Sequence, residues 1–162
     1  MPRTILAAMQ NHALHARFLT VLLFAAALTG ACSKGVDWST RERDNAAHLQ
    51  ASLQATSEAA SIANAITSDA AFRDQQDELL KALRAAHLHA ARVDDAVLDK
   101  LHPQLYGKFR LVYQRALARM INAYENGDPD AAQDAAADIQ EFIEWYRNQR
   151  HTFRWWEEAM QG

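Results

Sequence analysis

The sequence contains a single cysteine, only five glycines and no alternating run of β-branched residues. One cysteine excludes a disulfide within the chain. A β-strand typically shows alternating apolar positions rich in Val, Ile and Thr, so the lack of such runs argues against a sheet. The residues that are abundant, Ala, Leu, Gln, Glu and Arg, all favour helices. The composition therefore predicts an all-α fold.

The cysteine ends an apolar segment close to the start of the chain. A positive residue, Arg17, precedes an uncharged apolar run over residues 18–31, and small residues stand at its end. This order is typical of a secretory signal. The closing residues, Leu-Thr-Gly-Ala-Cys, resemble the lipobox of bacterial lipoprotein precursors, with Thr29 where that family most often has leucine. The resemblance implies cleavage between Ala31 and Cys32 and lipidation of the Cys32 thiol.

Three other interpretations of this segment stay open. It could span a membrane, but its 14 residues fall short of the roughly 20 that a span needs. It could be an ordinary secretory signal that leaves Cys32 as a free thiol. It could also be a buried core helix, although it has no polar face. The start of the chain is open between Met1 and Met9.

The lipobox resemblance also implies a location. In the proteins that carry this motif, the cysteine bears a diacylglyceryl group and usually an amide-linked acyl chain. Two or more acyl chains hold a protein stably on a bilayer, whereas one gives only marginal binding. Ser33 follows the cysteine where Asp would direct retention, which by that family's convention favours the outer membrane, facing the periplasm. We therefore expect a protein of the bacterial cell envelope, bound to the membrane through a lipid on Cys32.

These assignments divide the chain into a signal peptide (1–31), a lipid-anchored tether (32–39) and a helical domain (40–162). The mature chain has 131 residues, the size of one domain. The signal peptide contains two arginines and no acid, so its removal lowers the net charge from −3 to −5. An acidic domain argues against nucleic acid as a partner. Because the tether reaches at most roughly 25 Å, the domain is expected to stay close to the bilayer.

Apolar spacing predicts four helices and one short helical turn. The first helix covers about 40–66, and its many alanines let another helix approach closely, within one chain or from a second copy. The second follows the Thr-Ser-Asp break at 67–69 and ends near Val93. A short turn at 96–101 leads into the third, which Gly107 is expected to weaken or bend. The favoured arrangement is an antiparallel four-helix bundle in up-down-up-down order.

The turn Asn-Gly-Asp-Pro at 126–129 separates the third helix from the fourth. Gly127 is expected to close the third helix in the left-handed conformation, while Asp128 caps the fourth and Pro129 takes its first position. So short a connection makes the two helices antiparallel neighbours. The fourth helix is then expected to continue along an apolar stripe at helical spacing. Its members are Ala135, Ile139, Phe142, Tyr146, Gln149, Phe153, Trp156 and Met160.

The hairpin over residues 123–139 resembles that of periplasmic four-helix b-type cytochromes. In that family a histidine follows a tyrosine late in the last helix and ligates haem. Here Arg147 follows Tyr146, His151 lies one turn later, and the partner methionine near the start of the first helix is missing. The resemblance therefore implies the bundle shape without haem, and no cofactor is expected.

The histidines do not form a metal site by their spacing. His87 and His89 are two apart, so on a helix they point about 200° away from each other and cannot share an ion. His48 and His102 could approach them only through tertiary folding. The Glu-x-x-His pattern of di-iron bundles is also missing from the sequence. We therefore predict no metal site.

No motif of a catalytic site is present in the sequence. Asp134, Asp138 and Glu141 line one face of the fourth helix, where an acid pair could act as general acid and base. Such a stripe is more typical of a solvated face. The sequence contains neither a nucleophile elbow nor a glycine-rich phosphate loop. We expect a protein that is not an enzyme.

The most unusual composition of the mature domain lies near its end, where three of the four tryptophans are interleaved with three arginines. Trp and Arg are frequent anchors of protein interfaces, so Trp145, Arg154 and Trp155 are candidate partner-binding residues. The alternative is that Trp145 and Trp155 lie on a flank of the fourth helix, beside its apolar stripe, and that this flank covers a third helix. The resulting hypothesis is a non-catalytic interaction or structural module that binds an envelope protein at the membrane surface. The alternative function is a periplasmic carrier of a small ligand or cofactor, with a pocket near the Trp-rich end.

Overall fold

The computed structural model describes residues 39–153. The predicted signal peptide, Cys32 and nearly all of the tether lie outside these residues, as do Arg154 and Trp155. All regular secondary structure in the described part is helical, which confirms the all-α prediction. It consists of α1 (Thr40–Ala65), α2 (Asp69–Arg92), α3 (Asp95–Leu101), α4 (Leu105–Gly107), a π-helical stretch (Lys108–Gln114), α5 (Arg115–Asn126), α6 (Pro129–Gln149) and a 3-10 turn (Arg150–Thr152).

Helix α1 begins at a capping box. The Ser39 hydroxyl accepts a hydrogen bond from the backbone N–H of Glu42 at 3.3 Å, and the Glu42 carboxylate accepts one from the backbone N–H of Ser39 at 2.9 Å. The two residues thereby satisfy N–H groups that have no partner within the first turn of a helix. Helix α1 therefore has a fixed starting point directly after Ser39.

Two further caps set the starts of α2 and α3. The Ser68 hydroxyl accepts from the N–H of Ala71 at 3.2 Å, which confirms the predicted break at 67–69. The Asp94 carboxylate accepts from the N–H of Ala96 at 3.0 Å. In both cases a short polar side chain at the cap position replaces a missing backbone acceptor. The predicted end of α2 near Val93 and the short turn after it are confirmed.

Helix α4, the π-helical stretch and α5 follow one another with helical backbone angles throughout, and we call them together the 105–126 helix. The α-helical pattern gives way to the π pattern directly after Gly107, at the residue expected to weaken the helix. Phe109 and Tyr113 lie within the π stretch, and both are fully buried. π-Helical turns are rare and often occur at functional sites. The sequence did not predict this one.

The connection to α6 has the predicted form. Gly127 adopts a left-handed conformation with φ 65° and ψ 39°, and Asp128 caps α6 by accepting from the N–H of Ala131 at 3.0 Å. Pro129 stands at the first position of the helix.

Helix α6 is shorter than predicted. It ends at Gln149, and after the 3-10 turn Phe153 has extended backbone angles. The apolar stripe therefore does not continue as one helix through Phe153. This residue turns back, and its ring centroid lies 6.2 Å from that of Trp145. Trp156 and Met160, the last members of the stripe, lie outside the described residues.

The core combines an alanine-rich contact with an aromatic centre. Helices α1 and α2 form the most extensive helix pair, and the buried alanines of α1 allow this close approach. Those alanines are Ala46, Ala55, Ala59 and Ala60. Three fully buried rings fill the centre: Tyr113 stacks on Phe142 with centroids 4.6 Å apart, and Phe109 meets Phe142 edge-on at 5.9 Å. Such aromatic pairs add stabilisation beyond the area they bury.

Among residues 39–153, no helix combines the length and the apolar character needed to cross a membrane.

Candidate functional site

The start of α1 is tied to the segment around α3. The Lys100 ammonium lies 2.5 Å from the Glu42 carboxylate, and the Arg41 guanidinium lies 2.7 Å from that of Asp94. The backbone N–H of Asp94 also donates to the side-chain oxygen of Asn45. Lys100, together with the Ser39 hydrogen bonds, lowers the pKa of Glu42 to about 2. The start of α1 is therefore held in place by contacts with a second, separate part of the chain, residues 94–100.

Arg110 connects the π stretch to the same region. Its guanidinium donates to the carbonyl oxygen of Ala90 at 2.9 Å and to that of Val93, and it pairs with Asp95 at 2.6 Å. The last carbonyls of a helix have no partner within it, and a cation there also interacts favourably with the helix dipole. Arg110 therefore closes the end of α2 and fixes α3 against the 105–126 helix.

Trp145 and Phe153 pack against His102, the residue that directly follows α3. The ring centroid of His102 lies 5.7 Å from that of Trp145 and 5.4 Å from that of Phe153, with the rings edge-on in both pairs. We use the term "α3 end" for the region formed by residues 39–45, Asp94, α3, His102 and Phe153.

Trp145 is the one predicted partner-binding residue that lies within the described part of the chain. It is half-buried and packs against the core, with its ring centroid 6.1 Å from that of Phe142. Part of the ring stays accessible, so the partner-binding role of Trp145 remains a prediction. Arg154 and Trp155 lie outside the described residues. The described part of the chain offers a further candidate surface for a partner.

Exposed apolar side chains occur close to the α3 end. Leu88 is 52% exposed, Tyr106 39% and Leu111 55%. Leu88 stands five residues before Val93 at the end of α2, and the other two lie within the first seven residues of the 105–126 helix. Exposed Arg84 and Arg92 stand four residues before and after Leu88, and exposed Arg115 stands four residues after Leu111. This spacing places each arginine on the same helix face as its leucine. We call this set the Leu–Arg surface: Arg84, Leu88, Arg92, Tyr106, Leu111 and Arg115.

The acidic stripe on α6 takes part in ion pairs with the 105–126 helix. Asp138 pairs with Arg119, and Glu141 lies 2.7 Å from Lys108. The remaining member, Asp134, is exposed. Exposed pairs of this kind typically contribute about 0–1 kcal/mol. The arrangement connects the two helices through their exposed faces.

A cluster of three hydroxyl groups lies inside the apolar core. The Tyr113 hydroxyl is 2.9 Å from that of Ser52 and 2.7 Å from that of Thr56. Ser52 donates to the carbonyl oxygen of Ala86 at 2.8 Å, which joins α1, α2 and the π stretch. Burial raises the pKa of Tyr113 to about 12, so the phenol is protonated at physiological pH. Each of these groups has a hydrogen-bonding partner, as burial of a polar group requires. The cluster fixes the packing of three elements.

Tertiary folding brings together two histidines that sequence spacing had left apart. The Nδ1 atoms of His48 on α1 and His89 on α2 lie 3.2 Å apart. Both side chains are half-buried. Spacing within one helix could not reveal the contact, because it depends on the relative register of α1 and α2.

A small cavity of about 20 Å³ lies in the half of the molecule away from Trp145. It has room for about one water molecule. Thr56, Leu83, Met120 and Tyr124 are among its lining residues. Its size does not fit a cofactor, and its position differs from that of the pocket expected near the Trp-rich end.

Within the described residues, no group of three or more His, Cys, Asp or Glu side chains is placed to hold a metal ion. The chain matches no protein family, no curated protein and no solved structure.

Proposed function

We propose that the chain is held on the bacterial envelope by a lipid on Cys32 and that its helical domain binds an envelope protein at the membrane surface, without catalysis. The observation that carries this proposal is the Leu–Arg surface. It combines three exposed large apolar side chains with flanking arginines near the end of the domain that the tether would join. Arginine and large apolar side chains are suited to a protein interface.

The domain is proposed to be an antiparallel four-helix bundle built from α1, α2, the 105–126 helix and α6. Contacts between neighbours support this arrangement. Between α1 and α2, Ser52 meets Ala86. Closer to the start of α1, Asn45 meets Asp94, two residues after the end of α2. Contact positions thus advance along one helix as they go back along the other. Arg110 with Ala90 and Glu125 with Arg84 follow the same rule for α2 and the 105–126 helix.

The geometry of the tether supports a position next to the bilayer. Six residues separate Cys32 from Ser39, so seven Cα steps span at most roughly 25 Å. Helix α1 has 26 residues and is about 39 Å long. The tether is therefore shorter than α1. A lipid on Cys32 would keep the α3 end close to the bilayer. The Leu–Arg surface would meet proteins that are embedded in, or lie on, the same membrane.

The charge of the surface indicates the kind of partner. Arg92 and Arg115 are exposed on the same helix faces as Leu88 and Leu111, while Arg84 pairs with Glu125 at 2.6 Å. The predicted net charge of the mature chain is negative. A complementary partner presents an apolar patch framed by carboxylates. An outer-membrane or periplasm-facing protein with such a patch is the proposed partner.

The test is crosslinking in living cells, with the tagged full-length chain and identification of the products by mass spectrometry. The double variant Leu88→Arg with Leu111→Arg should lose the crosslinked protein that the wild-type chain captures. Ala137→Arg adds a charge at an exposed position on α6 and serves as the matched control, which should keep the product. Cys32→Ser should reduce capture by releasing the domain from the membrane. Equal capture by all four chains, or capture of lipid or a second copy alone, would overturn the proposal.

A further inference from the structure

The pair of histidines at the α1–α2 contact has the geometry of two metal ligands. Their Nδ1 atoms are 3.2 Å apart, and the ring centroids are 5.4 Å apart with a 39° angle between the planes. Both rings thus bring the same kind of nitrogen to the contact between the two helices. Without a metal, one neutral imidazole donates its Nδ1–H to the other.

We propose that His48 and His89 form a binding site for a divalent transition-metal ion of the zinc class, with their two Nδ1 atoms as protein ligands. A tetrahedral zinc ion holds each nitrogen at about 2.0–2.1 Å, which places two nitrogen ligands ~3.3–3.4 Å apart. The observed separation agrees with this value to within about 0.2 Å. The ion would take the place of the shared proton, with both rings neutral and protonated on Nε2.

The charged groups around the pair have opposing effects. Burial is the main factor that lowers the pKa of His48, and the neighbouring His89 and the Arg92 guanidinium on α2 lower it further. Asp44, one turn before His48 on α1, acts in the opposite direction. Asp44 also offsets part of the repulsion that Arg92 exerts on a cation.

The protein supplies two ligands at this site, since no third ligand completes a group among the described residues. Water, or a side chain from a bound partner, would take the remaining coordination positions. Imidazole nitrogen suits zinc, copper and nickel, whereas calcium and magnesium prefer oxygen. The site is therefore expected to exchange its ion readily and to discriminate against the oxygen-preferring cations. Because the two ligands come from α1 and α2, a bound ion would also hold these helices together.

The inference is independent of the proposed function, and calorimetry with zinc tests it. The full-length chain, purified in detergent without a histidine tag, should bind one Zn²⁺ at pH 7.5, and its thermal unfolding midpoint should rise with added zinc. His48→Gln and His89→Gln should each weaken binding by at least about tenfold. His87→Gln, on the same helix, is the matched control and should bind as the wild-type chain does. No binding, or equal binding by all four chains, would overturn the proposal.

A measurement on the wild-type chain covers the case in which a histidine variant fails to fold. With one equivalent of Cu²⁺, electron paramagnetic resonance should show coupling to two imidazole nitrogens. Addition of Mg²⁺ in excess should leave the spectrum unchanged. A spectrum with one nitrogen, or with the signal of free copper, would contradict the two-histidine site.

Discussion

His48 and His89 are 41 positions apart in the sequence, yet their Nδ1 atoms lie 3.2 Å from each other across the α1–α2 contact. The hydrogen bond between them needs one ring that donates and one that accepts. When both rings are protonated, two N–H groups and two positive charges face each other, and the bond is lost. The packing of the two helices is therefore coupled to the protonation of this pair.

The first prediction concerns acid sensitivity. The pKa of His48 lies below its usual value of 6.5 in the folded chain, mainly through burial and then through His89 and Arg92, with Asp44 opposing. The unfolded chain therefore takes up this proton more readily. The resulting contribution to the free energy of unfolding is complete above pH 6.5 and declines as pH falls through the lowered pKa.

Urea unfolding between pH 8 and 5, with a chelator present, measures this effect. We expect His48→Gln to flatten the decline, whereas His87→Gln should leave it as in the wild-type chain. If the three chains lose stability in parallel over this range, the pair does not set the pH dependence.

A second prediction separates Glu42 from the histidines. Its pKa of about 2 lies below the usual 4.5 because Lys100 pairs with it and Ser39 donates to it. This contribution to stability is complete above pH 4.5 and is lost as pH falls towards 2. In Lys100→Met, the pKa of Glu42 should rise part of the way back, since the Ser39 hydrogen bonds remain. Carboxyl-carbon NMR titration measures it, with Lys81→Met on the exposed face of α2 as the control. An unchanged pKa in Lys100→Met would show that the ion pair is not formed in solution.

A third prediction tests the buried hydroxyl cluster. Tyr113→Phe removes one hydroxyl, but Ser52 keeps Ala86 as its acceptor and Thr56 can donate to the carbonyl oxygen of Ser52. Its cost should be about 0.5–1.5 kcal/mol. Tyr113→Ala also empties the space of the ring and should cost about 3–5 kcal/mol. Chemical denaturation gives both values. Equal losses for the two variants would mean that the hydroxyl, and not the ring, dominates.

A fourth prediction is that alanine substitutions at Gly127 and Gly107 change the stability of the fold in opposite directions. A Cβ atom added at Gly127 or at Gly107 would meet no atom within 4 Å, so only the backbone conformation distinguishes them. Gly127 has φ 65°, where an L-residue is strained by roughly 1–2 kcal/mol, whereas Gly107 is in the right-handed helical region. Gly127→Ala should therefore lower stability, and Gly107→Ala should raise it by about 0.5–1 kcal/mol. Thermal unfolding of both variants is the measurement. A stabilising Gly127→Ala would contradict the left-handed turn.

Local signals in the sequence were sufficient to locate most helix boundaries. The caps at Ser68 and Asp94, and the turn at 126–129, depend on neighbouring residues alone. The end of α6 at Gln149 was missed because neither glycine nor proline marks it, and apolar spacing continues past it. The π stretch was also missed, although Gly107, directly before it, was predicted to weaken or bend the helix. Phe109 and Tyr113 are both buried within this stretch, and their burial depends on how the helices pack.

The candidate sites were harder to predict than the helices. Trp145 was predicted as a partner-binding residue, with a flank that covers another helix as the alternative. Its half-burial depends on contacts with His102 and Phe153, which spacing along one helix does not reveal. His48 and His89 required the register of α1 against α2, which alanine-rich helices specify through packing and not through spacing. The exposure of Leu88 and Leu111 likewise depends on which faces the other helices cover.

The central claim is that a lipid on Cys32 holds this helical domain at the membrane. Mass spectrometry of the N-terminal peptide, from chain extracted with detergent out of bacterial membranes, tests it most directly. We predict that the mature chain begins at Cys32 and that this residue carries a diacylglyceryl group. A mature chain that begins at another residue, or an unmodified Cys32, would contradict the claim.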